Sequence, residues 1–122
     1  MFDFRLLVSA IIFVCLDAVY LNLLKGYFNK QVQDIQGSQI EFNLLAAIIC
    51  YIFLIIGLNY FIIRPRRSVN DAFLLGIVIY GVYETTNWTI FKKWSPLSVI
   101  IDTLWGGTLF GLTTFIMRGF KM

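Results

Sequence analysis

The chain has 122 residues, 59% of them apolar and only 14% charged, well below the roughly 25% charged residues of a soluble domain. Residues 1–122 are expected to form a single transmembrane domain, with lipid in place of water as the main solvent. The net charge of +3 comes from ten Lys and Arg grouped between apolar runs, which argues against a nucleic-acid surface, and the absence of histidine excludes Ser-His triads and His-ligated zinc or haem.

A helix needs about 20 mainly apolar residues to cross the hydrocarbon core. Four segments meet that length: Phe4–Leu24, Phe42–Ile63, Ala72–Phe91 and Leu97–Met117. The first has Arg5 ahead of it but runs past the length of a signal h-region and lacks a small-x-small cleavage site before Tyr20, so it is expected to be a retained span. Cys15 and Cys50 lie in apolar runs without CxxC spacing and are expected to be small buried hydrophobes. The connection from Lys25 to Glu41 holds Gln31, Gln33, Asp34, Gln36 and Gln39 and is too polar to stay in lipid.

The second span has no charged or amide side chain from Leu44 to Leu58, with Asn43 and Asn59 only near its ends, so it is expected to supply packing more than chemistry. Pro65 stops it, and Ser68 or Asn70 is placed to cap the third helix. Pro96 suits the first turn of the fourth helix after the tight turn Lys92 to Ser95. In that helix Gly107 and Gly111 form a Gly-x-x-x-Gly, which lets helices approach closely within the bundle or across a dimer. Short connections make consecutive helices antiparallel, so the expected fold is an all-α, integral membrane four-helix bundle, up-down-up-down.

Orientation follows from the Lys and Arg count. One side holds Arg5, Arg64, Arg66, Arg67, Arg118 and Lys121, the other Lys25, Lys30, Lys92 and Lys93, so both termini are expected on the cytoplasmic side. Tyr27, Trp88, Phe91 and Trp94 cluster at the opposite boundary, where they are expected to act as interfacial anchors.

Three acids lie inside the spans: Asp17, Glu84 and Asp102. An acidic side chain at membrane depth is costly unless it is paired, protonated or hydrated, and is a functional candidate by default. With a rise of about 1.5 Å per residue, all three fall roughly 8 to 11 Å inside the same boundary. Their neighbours at helical spacing are polar. Gly76, Tyr80, Tyr83, Glu84 and Asn87 share a face of the third helix, Ser98, Asp102, Trp105, Gly106 and Thr113 one of the fourth, and Tyr20 lies three residues from Asp17. These faces are expected to turn inward, because lipid would leave their donors and acceptors unsatisfied. The candidate binding cluster is therefore Asp17, Tyr20, Tyr80, Tyr83, Glu84, Asn87, Asp102, Trp105 and Gly106. No basic side chain lies deep in a span, so the acids must hold protons, bind a cation, or be wet. Asp17, Glu84 and Asp102 are also the candidate ligands for a metal ion, the one cofactor the residues suggest.

The run Gly-Val-Tyr-Glu-Thr-Thr-Asn at 81–87, the turn Lys-Lys-Trp-Ser-Pro-Leu and the following Asp-Thr-Leu-Trp-Gly at 102–106 resemble the domain-of-unknown-function family 2177 (DUF2177), small predicted four-helix membrane proteins. Asp17, Tyr20 and Leu21 are similar to that family's Asp-x-x-aromatic-Leu in the first helix. Glu84 stands where the family more often has Asp, and Tyr20 where Trp is usual. The resemblance implies an architecture and the position of the site, and no activity.

Three functions fit these residues. The first is transport of a cation or proton, or of a small solute coupled to one. The second is a metal-dependent lipid-modifying enzyme, and the third an accessory subunit of a larger membrane assembly. Expected partners are membrane lipid and either further copies of the chain, as a homo-oligomer, or the other subunits of a membrane complex.

Overall fold

A computed structural model describes residues 4–37 and 43–120. Among these the chain forms four helices and no strand: α1 (Phe4–Gln36), α2 (Leu44–Leu58), which runs on through a π-helical turn (Asn59–Ile63), α3 (Val69–Ile90) and α4 (Pro96–Gly119). The expected all-α fold is borne out. α1, α2 with its π turn, and α4 are long and apolar enough to cross a membrane. α3 is long enough but too polar to qualify with them, because Asn70 and Asp71 open it and Glu84 to Asn87 lie near its end.

The helix starts follow from local chemistry. Asn43 accepts a hydrogen bond from the Ala46 amide at 3.1 Å, Ser68 from that of Asp71 at 3.0 Å, and Ser95 from that of Leu97 at 3.1 Å, each satisfying an amide that has no partner inside its own helix. Pro96 occupies the first turn of α4, where a missing N–H does no harm. The end of α2 is looser. The Arg64 amide bonds to the Asn59 carbonyl at 2.9 Å, five residues back, and the Asn59 side chain turns inward to donate to Ser9 Oγ at 2.9 Å.

Two expectations need correction. The first helix does not stop at Leu24 but continues to Gln36, so most of the expected first connection is helical, while residues 38–41 lie outside those described. Its inward stripe continues at three- and four-residue steps from Asp17 and Tyr20 through Leu24 and Tyr27 to Gln31, whereas Lys25, Lys30, Gln33 and Asp34 are exposed. Likewise Cys15 and Cys50 are free and exposed, not buried. A bundle four helices wide leaves the outer half of each helix with no protein to pack against, and Cys15 stands on such a face, while Cys50 borders an open cavity between helices.

The helix pairs that touch run antiparallel. α3 and α4 make the most extensive contact, from Val69 opposite Gly111 to Gly81 opposite Thr103. α1 crosses α4 with Phe13 against Phe110 and Tyr20 against Asp102, and it meets α2 at Asp17–Tyr51 and Ser9–Asn59. The core of Phe13, Leu58, Ile62, Ala72, Leu109, Phe110 and Met117 fills the half of the bundle away from Glu84. α2 instead presents Leu45, Ile48, Ile49, Ile52 and Phe53 outward, an apolar surface that suits lipid.

Close approach of α3 and α4 requires glycine. A Cβ on Gly76 would sit 2.7 Å from the Gly106 carbonyl carbon and 3.0 Å from Gly107 Cα, both rigid backbone atoms. Gly107 itself packs on Ile77 and Phe73, and Gly111 on Val69 and Phe73, so the Gly-x-x-x-Gly serves the inside of the bundle. Gly76→Ala is expected to destabilise the protein by about 1–3 kcal/mol through overpacking, read as thermal unfolding in detergent. Gly81→Ala, whose Cβ would meet only Thr103 Cγ2 at 3.6 Å, should change little, and equal responses would contradict this packing.

Candidate functional site

Asp17 projects from the buried face of α1 and is saturated by donors from two other helices. The Trp105 indole of α4 donates from Nε1 to Oδ1 at 2.9 Å, and the Tyr51 hydroxyl of α2 donates to Oδ2. One turn further along α1, the Tyr20 hydroxyl donates to Asp102 Oδ1 at 3.0 Å. Its ring stacks on Trp105, with centroids 4.6 Å apart and planes within 2° of parallel. On α3, Glu84 is only 1% exposed and accepts from Trp94 Nε1 at 2.9 Å. The Glu84 and Asp102 carboxyl groups lie within hydrogen-bonding reach of each other.

Together these contacts form one chain of hydrogen bonds and one ring stack that draws on all four helices. Its three acids are held by two indoles and two phenols, which supply donors without adding charge. It brings Asp17 of α1, Glu84 of α3 and Asp102 of α4 to one cavity.

The carboxyl groups form the floor of a cavity of about 470 Å³. Its walls are apolar, from Leu21, Phe28 and Val32 of α1, Leu54 of α2 and Ile79 of α3. α2 and α3 make little direct contact, and the cavity reaches the surface between them, past Cys50 and the 59% exposed ring of Tyr83. No Lys or Arg is among the lining residues.

The other expected site residues divide. Tyr80 lines the cavity and packs edge-on to Phe110, with ring centroids 6.4 Å apart. Gly106 makes room for it, since a Cβ there would lie 2.6 Å from Tyr80 Cβ. Asn87 is buried but does not line the cavity, and Trp105 and Gly106 support the floor without forming the wall. Gly107 and Gly111 belong to helix packing, as expected.

Among the described residues no group of three acids or thiols is arranged to hold a metal ion. Asp17, Glu84 and Asp102 are thus a linked chain and not one ligand shell, because indole and phenol donors occupy the oxygens of Asp17 and lie between it and Asp102.

Two residues taken for anchors or packing are parts of the site. Trp94 is buried and bonded to Glu84, whereas Trp88 and Phe91 are exposed as interfacial residues are. Tyr51 brings α2 into the hydrogen-bond chain through Asp17. A third contribution comes from the continuation of α1. Gln31 accepts from the Ser95 amide at 3.2 Å and bonds to Ser98 Oγ through both ends of its amide, while the Tyr27 hydroxyl lies 2.9 Å from the same Ser98 oxygen. This clasp fixes the start of α4, and with it Asp102, against α1.

The model of the family described as "Predicted membrane protein (DUF2177)" matches residues 4–118. The chain belongs to the DUF2177 family. With three helices apolar enough to cross a bilayer, this DUF2177 member is an integral membrane protein. No curated protein and no solved structure matches it.

Trp94→Phe keeps an aromatic ring but removes the five-membered ring with its N–H donor, leaving a buried Glu84 oxygen short of a partner. A loss of about 1–3 kcal/mol is expected in thermal unfolding. Trp88→Phe, at a 51% exposed position, should change stability by less than about 0.5 kcal/mol. Equal effects would return Trp94 to the role of a simple anchor.

Proposed function

We propose that this DUF2177 protein binds and moves a small amphipathic solute with a cationic end, in exchange for a proton. The observation that carries the reading is the cavity itself, with a floor of carboxyl groups, apolar walls and no basic residue in its lining. Its volume of about 470 Å³ lies within the roughly 300–1,000 Å³ range of small-molecule pockets.

The chemistry of exchange follows from the pair at its floor. Two carboxyl groups within hydrogen-bonding reach of each other are eased by a proton between them, because two bare carboxylates offer only acceptors. A cationic group arriving at Glu84 and Asp102 takes the place of that proton and leaves the net charge of the floor unchanged. In surroundings of low dielectric that swap avoids stranding an uncompensated charge. Tyr20 and Trp94 hold the two acids in place during the exchange. Phe13, Leu58 and Phe110 close the bundle beyond Asp17, which favours a carrier open to one side at a time over a continuous pore.

The test is flux in proteoliposomes. Uptake of a small amphipathic amine is expected to depend on an imposed pH gradient and to move protons in the opposite direction. Asp102→Asn removes the proton-sharing partner and should lower this flux at least about a hundredfold, the lower end of the roughly 10²–10⁴-fold contribution of one positioned proton-transfer group. Absence of any cation- or pH-dependent flux, together with wild-type behaviour of Asp102→Asn, would refute the proposal.

A further inference from the structure

A second cavity, of about 350 Å³, lies at the opposite end of the bundle from the carboxyl floor, between the α2–α3 connection and the end of α4. Arg66, Arg67 and Arg118 line it above an apolar base of Ile62, Ile63 and Met117. The carboxylate beside these arginines, Asp71, is 48% exposed and stands 3.9 Å from Arg67 Nη1, too far for a close ion pair. Among the described residues, three guanidinium groups and this one loosely placed acid leave the cavity strongly positive.

The backbone is bent to build it. Arg66 has φ of 59°, the left-handed region that residues with a Cβ rarely occupy. Strain of this kind persists where surrounding contacts enforce it, and it gathers at binding sites. Here the enforcing contact is visible. The Arg118 guanidinium donates from Nη2 to the Arg67 carbonyl and, at 3.4 Å, to that of Arg66, so the last turn of α4 clamps the bent connection. A topology signal needs only positive charge near the membrane. It needs neither a cavity nor a strained residue that places a guanidinium in one.

We propose that this cavity binds the phosphate of an acidic phospholipid headgroup. Arginine forks match phosphate geometry, and basic clusters at the ends of membrane helices attract anionic lipid. The apolar base and the position at the ends of α2 and α4 favour a lipid phosphate over a free one, because the acyl chains continue along the exposed apolar faces of those helices. The site is independent of the carboxyl cavity in both charge and position.

Native mass spectrometry of the full chain, released from micelles holding equal phosphatidylglycerol and phosphatidylcholine, tests the assignment. The wild type is expected to retain phosphatidylglycerol preferentially, and the preference should fall about fivefold for each arginine removed, in Arg66→Gln and in the Arg66→Gln/Arg118→Gln pair. Arg66→Gly separates loss of charge from misfolding, since glycine adopts the left-handed conformation freely. It should lose the same preference while unfolding at or above the wild-type temperature. Lys92→Gln/Lys93→Gln, at the other end, should keep the wild-type ratio. A wild-type ratio near one, or a preference that survives removal of both Arg66 and Arg118, would overturn the proposal. Inorganic phosphate binding to the detergent-solubilised protein as tightly as the lipid does, read by calorimetry, would also overturn it by assigning the site to the free anion.

Discussion

Three carboxyl groups sit together in an apolar bundle with no lysine or arginine lining their cavity, and the arrangement of the rest answers that constraint. An uncompensated carboxylate in such surroundings is unfavourable by several kcal/mol, so each acid must find donors or share a proton. The indoles of Trp94 and Trp105 and the hydroxyls of Tyr20 and Tyr51 provide the donors. Tyr20, Tyr51 and Trp105 each stand on a different helix from the acid they satisfy, so their bonds also fix one helix against another, while Trp94 ties the α3–α4 turn back onto α3. The acids are therefore at once the site and part of what holds the four helices in register.

Much of this was legible in the residue pattern, and the reasons are local. Ser68 and Pro96 mark helix starts through capping chemistry that needs only neighbouring residues. The shared faces of Gly76, Tyr80 and Glu84, and of Ser98, Asp102 and Gly106, follow from helical spacing together with the rule that lipid tolerates no unsatisfied polar group. What stayed hidden required knowledge of tertiary placement. A tryptophan near a membrane boundary has the same sequence signature whether it stays exposed, as Trp88 does, or folds inward onto an acid, as Trp94 does. Tyr51 lay in a run so apolar that it read as packing. The continuation of α1 to Gln36 was masked by its polarity, although Tyr27 and Gln31 keep the step of the inward stripe and so carried the one available hint.

The two cavities have opposite linings, acidic in one and basic in the other. The carboxyl cavity occupies one end and the arginine cavity the other, with Phe13, Leu58, Leu109 and Phe110 packed between them. Polar groups persist through that apolar middle as the Ser9–Asn59 pair, placed where the chain departs from regular α-helix into a π turn. Such turns often mark functional positions in a helix. This one lets Asn59 satisfy both Ser9 and a backbone carbonyl, and it leads directly into the bent connection that carries Arg66.

In the proposed exchange Glu84 and Asp102 share a proton, with Trp94 donating to the first and Tyr20 to the second. Infrared spectroscopy of the protein in lipid at neutral pH addresses it directly, because a protonated carboxyl group has a C=O stretch well separated from that of a carboxylate. The account predicts one such band in the wild type, altered or lost in both Glu84→Gln and Asp102→Asn. A spectrum without any protonated carboxyl at neutral pH, or a band that survives both substitutions unchanged, would contradict it.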